Sequence, residues 1–191
     1  MMITSYRPRV LEHLLKLAAP LKPRRILDFG AGDGYFASRM SELPGVEEVV
    51  PVDVVERKQN IVKPILYDGL RLPFDDATFD MAYAVDVIHH CLDPISALDD
   101  MMRCTSRYLL LKDHNYQTAF GRVVLAAMDE AGNRRFGIHS PYLYQRRWHW
   151  LNHIEQSGFR RLSLTTPLRC QTGLLATTNR LQFLALWERE S

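Results

Sequence analysis

The stretch Ile26-Leu-Asp-Phe-Gly-Ala-Gly-Asp-Gly34 decides how the rest of this 191-residue chain is read. An apolar run from Ile26 to Phe29 carries one acid, Asp28, and leads into three glycines spaced two apart, Gly30, Gly32 and Gly34. From Asp33 to Leu43 the apolar residues Phe36, Met40 and Leu43 return at helical spacing, and Pro44-Gly45 stops the helix. Glycine allows a tight turn and lets a ligand reach the backbone without meeting a Cβ. The helix start adds N–H donors that no helical carbonyl can satisfy. A dinucleotide fold sets its third glycine three residues after the second, around a pyrophosphate. Here the pattern is G-x-G-x-G with an acid two residues before it, which would repel a phosphate and suits a cationic amino-acid headgroup. A nicotinamide dehydrogenase would also need a substrate domain, and the sequence offers none.

Working outward, residues 7–21 carry Leu11, Leu14, Leu15 and Ala18 on one helical face, ended by Pro20 and Pro23. Strand signals follow at Arg24–Phe29, Glu48–Val55, Ile61–Tyr67, Asp80–Val87 and Tyr108–Lys112. Asp93-Pro94 reads as the N-cap and first turn of a helix with Ile95, Leu98 and Met102. Strand and helix in alternation predict an α/β fold, a doubly wound and mostly parallel sheet covered on both faces. The tail breaks the alternation. A helix near Arg146–Ser157 ends at Gly158, and two strands, Phe159–Leu168 and Leu181–Trp187, follow with no helix between them, so they should be antiparallel. The last is apolar on both faces apart from Gln182, as for a strand inside the sheet. Residues 114–145 do not fit this alternation. They hold a candidate helix with Phe120, Val124, Ala127 and Met128, closed by Gly132, then a stretch rich in aromatic and turn residues. An insertion of that length reads as a lid over residues 115–145, because long loops in compact domains are usually functional. One domain, 1–191, is expected, with an N-terminal helical segment over 1–23.

Composition sets the outer bounds. With 47% hydrophobic and 24% charged residues the chain can bury an ordinary core. A net charge of +2, with Arg-Arg pairs dispersed at 24–25, 134–135, 146–147 and 160–161, does not suggest a nucleic-acid binder. Three cysteines without a CxxC pair suit a reducing compartment. The apolar stretch Val10–Leu21 is interrupted by Glu12, His13 and Lys16, and no run approaches a membrane span. A cytoplasmic protein is the expectation.

Asp53 ends the second strand at the distance where an acid can accept hydrogen bonds from ribose hydroxyls; alone, it would equally cap a strand end. Together, Gly30–Gly34, Asp53, Asp68-Gly69 with Leu72-Pro73-Phe74, Phe79-Asp80 and Asp86-Val-Ile-His-His90 resemble the ordered motifs of class I S-adenosylmethionine-dependent methyltransferases. They are similar in particular to a small methyltransferase-domain group that includes quinone-biosynthesis enzymes. The resemblance covers Arg24 to Asp113. It implies a Rossmann-like sheet of order 3-2-1-4-5-7-6 with the last strand antiparallel, and S-adenosyl-L-methionine as methyl donor. It places Asp28, Gly30, Ala31, Gly32 and Gly34 on the methionine moiety, Asp53 on the ribose, and Val54, Asp68 and Gly69 on the adenine. Asp86 and Val87 would line the methyl side. Only a short segment separates Asp53 from Asp68, so the helix usual between the second and third strands is expected to be reduced to a loop.

The remaining polar residues are less specific. His89-His90-Cys91 offers metal-ligating types, but adjacent residues rarely converge on one ion, so no metal is expected. His114 is expected just past the carboxyl end of the fifth strand, the edge where open α/β sheets bind ligands. His114 and His90 are the candidate bases; a strand-end histidine satisfied by backbone is the competing reading for His114. Tyr142, Tyr144, Trp148 and Trp150 either frame a pocket or pack a helix onto the core. The expected activity is methyl transfer to a small-molecule or lipid-like acceptor. The alternatives are a non-catalytic S-adenosylmethionine-binding module and an RNA methyltransferase.

Overall fold

A computed structural model describes residues 6–133 and 141–190. The chain begins with helix α1 (Tyr6–Ala18), whose Val10, Leu14 and Ala18 are buried, then a 3₁₀ turn over Ala19–Leu21 that holds Pro20. Strand β1 (Arg25–Phe29) buries all but its first residue and leads through the glycine turn into α2 (Tyr35–Met40). Strands β2 (Glu48–Asp53), β3 (Ile65–Leu66) and β4 (Phe79–Val85) follow. Next come a 3₁₀ turn at Ile88–His90, α3 (Pro94–Arg103), β5 (Thr105–Tyr116) and α4 (Ala119–Asn133). The chain closes with β6 (Gln145–Arg146), α5 (His149–Gln156), β7 (Phe159–Thr165), a 3₁₀ stretch over Gly173–Leu181 and β8 (Gln182–Arg189).

The sheet runs β3-β2-β1-β4-β5-β8-β7, with the two-residue β6 pairing separately against β5. Setting β6 aside, this is the order 3-2-1-4-5-7-6. Strand β8 is antiparallel to both of its neighbours. The interior position of β8 follows from its sequence: six of its eight residues are buried, whereas β7 at the edge buries only Phe159. Period-two alternation sends neighbouring side chains to opposite faces. Leu27, Phe29, Phe183 and Trp187 pack beneath α3 and α5, while Ile26, Leu184 and Leu186 pack under α1. Helix α3 starts as its residues dictate, Asp93 Oδ1 accepting from the amides of Ile95 (3.0 Å) and Ser96 (3.2 Å).

Three departures from the sequence reading matter for the site. The segment between Asp53 and Ile65 contains no helix, as expected, and β3 shrinks to two exposed residues. Strand β5 extends well past Lys112 because its antiparallel pairing with β8 continues through Asp113↔Phe183 and His114↔Gln182. Pairing with β4 stops at Val85↔Lys112, so His114 stands inside β5 and not beyond its end, yet clears the edge of β4. The insertion therefore begins after Tyr116; Asn115 and Tyr116 are strand residues paired to β6. Its first part is α4, its last residues include β6, and residues 134–140 lie outside the described residues. A 3₁₀ stretch also separates β7 from β8 where no helical turn was expected. Among the described residues no helix is long and apolar enough to cross a membrane.

Candidate active site

All three turn glycines adopt the left-handed region, at φ of +72°, +61° and +77°, and each is required for a different reason. A Cβ on Gly30 would fall 2.1 Å from Val87 Cγ2, and one on Gly34 would fall 2.4 Å from the carbonyl oxygen of Val62. A Cβ on Gly32 would meet nothing within 4 Å. Gly32 therefore presents the open face of the turn, where another molecule can approach the backbone. The amides of Gly30 and Ala31 both donate to the carbonyl of Val52 at 2.9 Å, tying the turn to β2.

Asp53 serves the turn directly. Its Oδ2 accepts from the Gly32 amide at 2.8 Å, and Oδ1 accepts from Val54 (2.7 Å) and Val55 (3.1 Å). A carboxylate has about four acceptor positions; three are taken, which leaves room for a ribose hydroxyl. Asp28 lies beneath the turn, 2% exposed, with Oδ2 making no hydrogen bond among the described residues. Burial pushes its carboxyl up to about 7, with the neighbouring Tyr83 hydroxyl pulling the other way. Beyond β2, Gly69 (φ +79°) faces Val54, whose Cγ1 a Cβ there would approach to 3.2 Å. Val54, Asp68 and Gly69 are thus brought together. Asp68 Oδ1 accepts from Leu70 (2.9 Å) and Arg71 (3.3 Å), and these amides hold its carboxyl below the usual range.

Past the end of β4 the chain bends sharply, with Asp86 at φ +54°. Its carboxylate accepts from Tyr6 Oη at 2.6 Å and pairs with Lys112 Nζ, a fully buried ammonium that also donates to Gln182 Oε1 at 2.6 Å. Against the effect of burial, Lys112 holds the Asp86 carboxyl below its ordinary range. The next residue, Val87, is the one packed on Gly30. Asp86 itself faces a pocket of about 210 Å³ lined also by His89, His90, His114, Asp129 and Tyr144.

The three histidines differ in charge. His89 is 1% exposed, with Nδ1 2.6 Å from Asp113 Oδ1 and Nε2 3.6 Å from Asp129 Oδ1. Burial alone would lower its pKa, but Asp113 and Asp129 outweigh it and raise it to about 10. His90 is lowered to about 4 by burial and by His89. His114 is also lowered, by burial and then Lys112, although its Nδ1 sits 3.2 Å from Asp113 Oδ1. His90 and His114 thus face the pocket as neutral imidazoles at neutral pH.

Several members of the site carried no sequence signal. Tyr6 and Lys112 reach Asp86 from elements far apart in the chain, and Asp113 and Asp129 converge on His89 from β5 and α4. Arg7 grips Asp33 in the turn, NH1 to Oδ2 at 2.9 Å. Of the aromatics, Tyr144 lines the pocket, whereas Trp148 packs edge-on against Phe183 and Trp150 is buried in the core. The arginines at 24–25 and 160–161 face Glu47, Glu48, Glu188 and Glu155.

The sheet order, the glycine turn at the end of β1 and the acid at the end of β2 define a class I methyltransferase architecture. Residues 3–164 match the family model of the methyltransferase domain, and the chain belongs to that family. An uncharacterized methyltransferase of Mycobacterium tuberculosis is 33% identical over 106 residues, which is 52% of this chain and 41% of that protein. A tRNA U34 carboxymethyltransferase of Sulfurimonas denitrificans is 30% identical over 112 residues, 52% of this chain and 37% of its own. The chain thus spans less than half the length of these curated relatives. The N-methyltransferase NodS of Bradyrhizobium japonicum superposes with a TM-score of 0.64 at 15% identity, covering 97% of each chain, a likeness of fold.

Proposed function

We propose that this chain transfers a methyl group from S-adenosyl-L-methionine to a compact polar acceptor held in the pocket beside Asp86. One observation carries the reading. Asp86 and Val87 form a shared wall: Val87 closes on Gly30 of the turn, and Asp86 faces the histidine-lined pocket. A donor lying over Gly32 and an acceptor in the pocket would meet across that wall. The sulfonium supplies an activated methyl with a neutral leaving group, so the protein's part is alignment and exclusion of water. In this reading the open backbone at Gly32 and the carboxyl of Asp28 meet the amino-acid end, Asp53 takes a ribose hydroxyl, and Val54, Asp68 and Gly69 border the base. Asp86 is kept rigid by Tyr6 and Lys112. His114, neutral and turned into the pocket, takes the proton of an attacking hydroxyl at Nε2, while Asp113 beside Nδ1 orients the ring.

The pocket wall argues for the acceptor class. Tyr6, Asp86, the three histidines, Asp129 and Tyr144 bring polar groups to a wall whose remaining surface is mostly ring and aliphatic carbon, and its volume lies below the roughly 300 Å³ at which ligand clefts usually begin. That volume suits a small acceptor better than a lipid tail, and the converging polar groups suit one that carries hydrogen-bonding atoms. Glutamates beside the arginines of β1 and β7 leave little basic surface there for RNA. The 117–145 insertion, whose helix α4 supplies Leu125, Met128 and Asp129, is proposed as the lid of this pocket. Metabolite profiling of a deletion strain, seeking a species lighter by one methyl group, would identify the acceptor. With that acceptor, His114→Ala should lower turnover on the order of 10²-fold or more. His114→Gln, which hydrogen-bonds but takes no proton, should be equally slow; rescue by Gln would leave His114 a positioning role only.

A further inference from the structure

Alignment and one base leave two members of the pocket without a task, His89 and Asp129. We infer that His89, His90 and Asp129 form a binding site for one divalent transition-metal ion, zinc or ferrous iron by ligand type, with an open side toward the acceptor pocket. The purpose of such an ion rests on the methyl-transfer reading; its existence does not.

One nitrogen of each ring and one Asp129 carboxylate oxygen all lie within 4.8 Å of one another. Asp129 Oδ1 is 3.6 Å from His89 Nε2 and 3.7 Å from His90 Nε2. Donors around a tetrahedral ion with bonds of about 2.1 Å stand about 3.4 Å apart, so Asp129 Oδ1 lies within tenths of an ångström of that spacing from each ring. Adjacent histidines can converge here because the 3₁₀ turn at Ile88–His90 brings their ring centroids to 4.1 Å. The third donor comes from α4, which sequence spacing could not reveal.

The surroundings of the triad are those of a metal site. His89 presents Nδ1 to Asp113 Oδ1 at 2.6 Å, the outer-shell carboxylate that fixes the tautomer of a metal-binding histidine and leaves Nε2 to the metal. His89 Nε2 is buried and makes no hydrogen bond among the described residues. Tyr144 Oη donates to Asp129 Oδ2 at 3.0 Å, and Oδ1 is the oxygen nearer the two rings. The group His89, Asp113 and His114 is also close-set, but its nitrogens already lie 2.6 and 3.2 Å from Asp113 Oδ1, too close to admit an ion between. Asp113 therefore supports the site and does not ligate. Three protein ligands leave at least one position free, the pattern of catalytic zinc sites; two histidines with one carboxylate also suit ferrous iron. The free position opens on the wall formed by Asp86 and His114, so the ion would take an acceptor bearing an oxygen or nitrogen donor atom, with His114 left as the base.

A proton on His89 held by the flanking carboxylates competes with an ion for the same place, and the test separates the two. Untagged full-length protein, stripped with chelator, is titrated with Zn²⁺ by calorimetry and with Co²⁺ by visible absorption. The expected result is one ion per chain with submicromolar Kd and Co²⁺ bands of a four- or five-coordinate centre. Asp129→Asn should weaken binding at least 100-fold and Tyr144→Phe about 10-fold, the range for an outer-shell partner. Weak, multiple or unsaturable binding by the wild type overturns the inference, as does undiminished binding in Asp129→Asn that still melts cooperatively. Should the variants not fold, the wild-type stoichiometry and the Co²⁺ spectrum decide alone. S-adenosylhomocysteine binding is measured separately: zinc bound without it refutes the donor reading, and the reverse refutes this one.

Discussion

The glycine turn and the histidine pocket share the wall at Asp86 and Val87 but are built in opposite ways. The turn is largely local: Asp28 to Gly34 supply its backbone, Val52, Val62 and Val87 meet it through main-chain or close packing contacts, and two side chains, Asp53 and Arg7, clamp it from outside. The pocket is assembled from α1, the turn after β4, β5, α4 and Tyr144, and is held by buried charge. Backbone geometry requires glycine wherever it occurs, so a sequence displays it. A charge network needs only that its members meet, and nothing in their spacing announces it.

The largest effect should come from the network. Asp113 is fully buried between His89 and His114, so Asp113→Asn removes the shared partner of both rings. Breaking a buried charge pair from one side costs about 3–5 kcal/mol. A denaturant melt of the folded protein should register a loss of that size. A loss under 1 kcal/mol would mean that the pocket is not held by its charges.

The turn should respond unevenly. Gly34→Ala forces a Cβ against the Val62 backbone at a left-handed φ, and should cost about 2–4 kcal/mol of stability. Gly32→Ala bears only the conformational strain, about 1–2 kcal/mol, but should impair ligand binding more than Gly34's stability loss would suggest. Equal losses of stability in both melts would remove the distinction between the packed and the open glycine.

A pH slope, the smallest effect over any single pH unit, comes from Asp28. Asp28 has its folded pKa raised to about 7 from 3.8, so folding favours its protonated form. Its contribution is therefore most favourable below about pH 4 and is lost as pH rises to 7, with a slope of at most about 1.4 kcal/mol per pH unit. Subtracting the pH profile of Asp28→Asn from that of the wild type should expose this slope. A flat difference between pH 4 and 7 would show that Asp28 is not strained beneath the turn.

Much of the fold was legible because its signals are periodic. The apolar faces of α1 and α3, the Asp93 cap and the buried pattern of β8 all appear where the sequence puts them. The loop in place of a helix between β2 and β3 was legible from the short span between Asp53 and Asp68. The full length of β5 was not, since Asp113, His114 and Asn115 read as polar loop residues. Asp113 and His114 are strand residues because β8 continues to pair with them and their side chains find partners at the pocket; Asn115 pairs with β6, and its Oδ1 accepts from the Trp148 amide. Asp53 shows one of its two sequence readings directly, capping the end of β2, and it also clamps Gly32, with acceptor capacity to spare. Asp129 had no signal at all, standing on a helix of the insertion far from the histidines it faces.

The central claim is that donor binding belongs to the turn and acceptor chemistry to the pocket. Calorimetric titration of S-adenosylhomocysteine into the wild type, Asp53→Ala and His114→Ala tests it most directly. The account predicts saturable binding by the wild type, unchanged affinity in His114→Ala, and a loss of about 1.5–3 kcal/mol in Asp53→Ala, the range for hydrogen bonds to a charged group. Absence of wild-type binding, or undiminished affinity in Asp53→Ala, would contradict it.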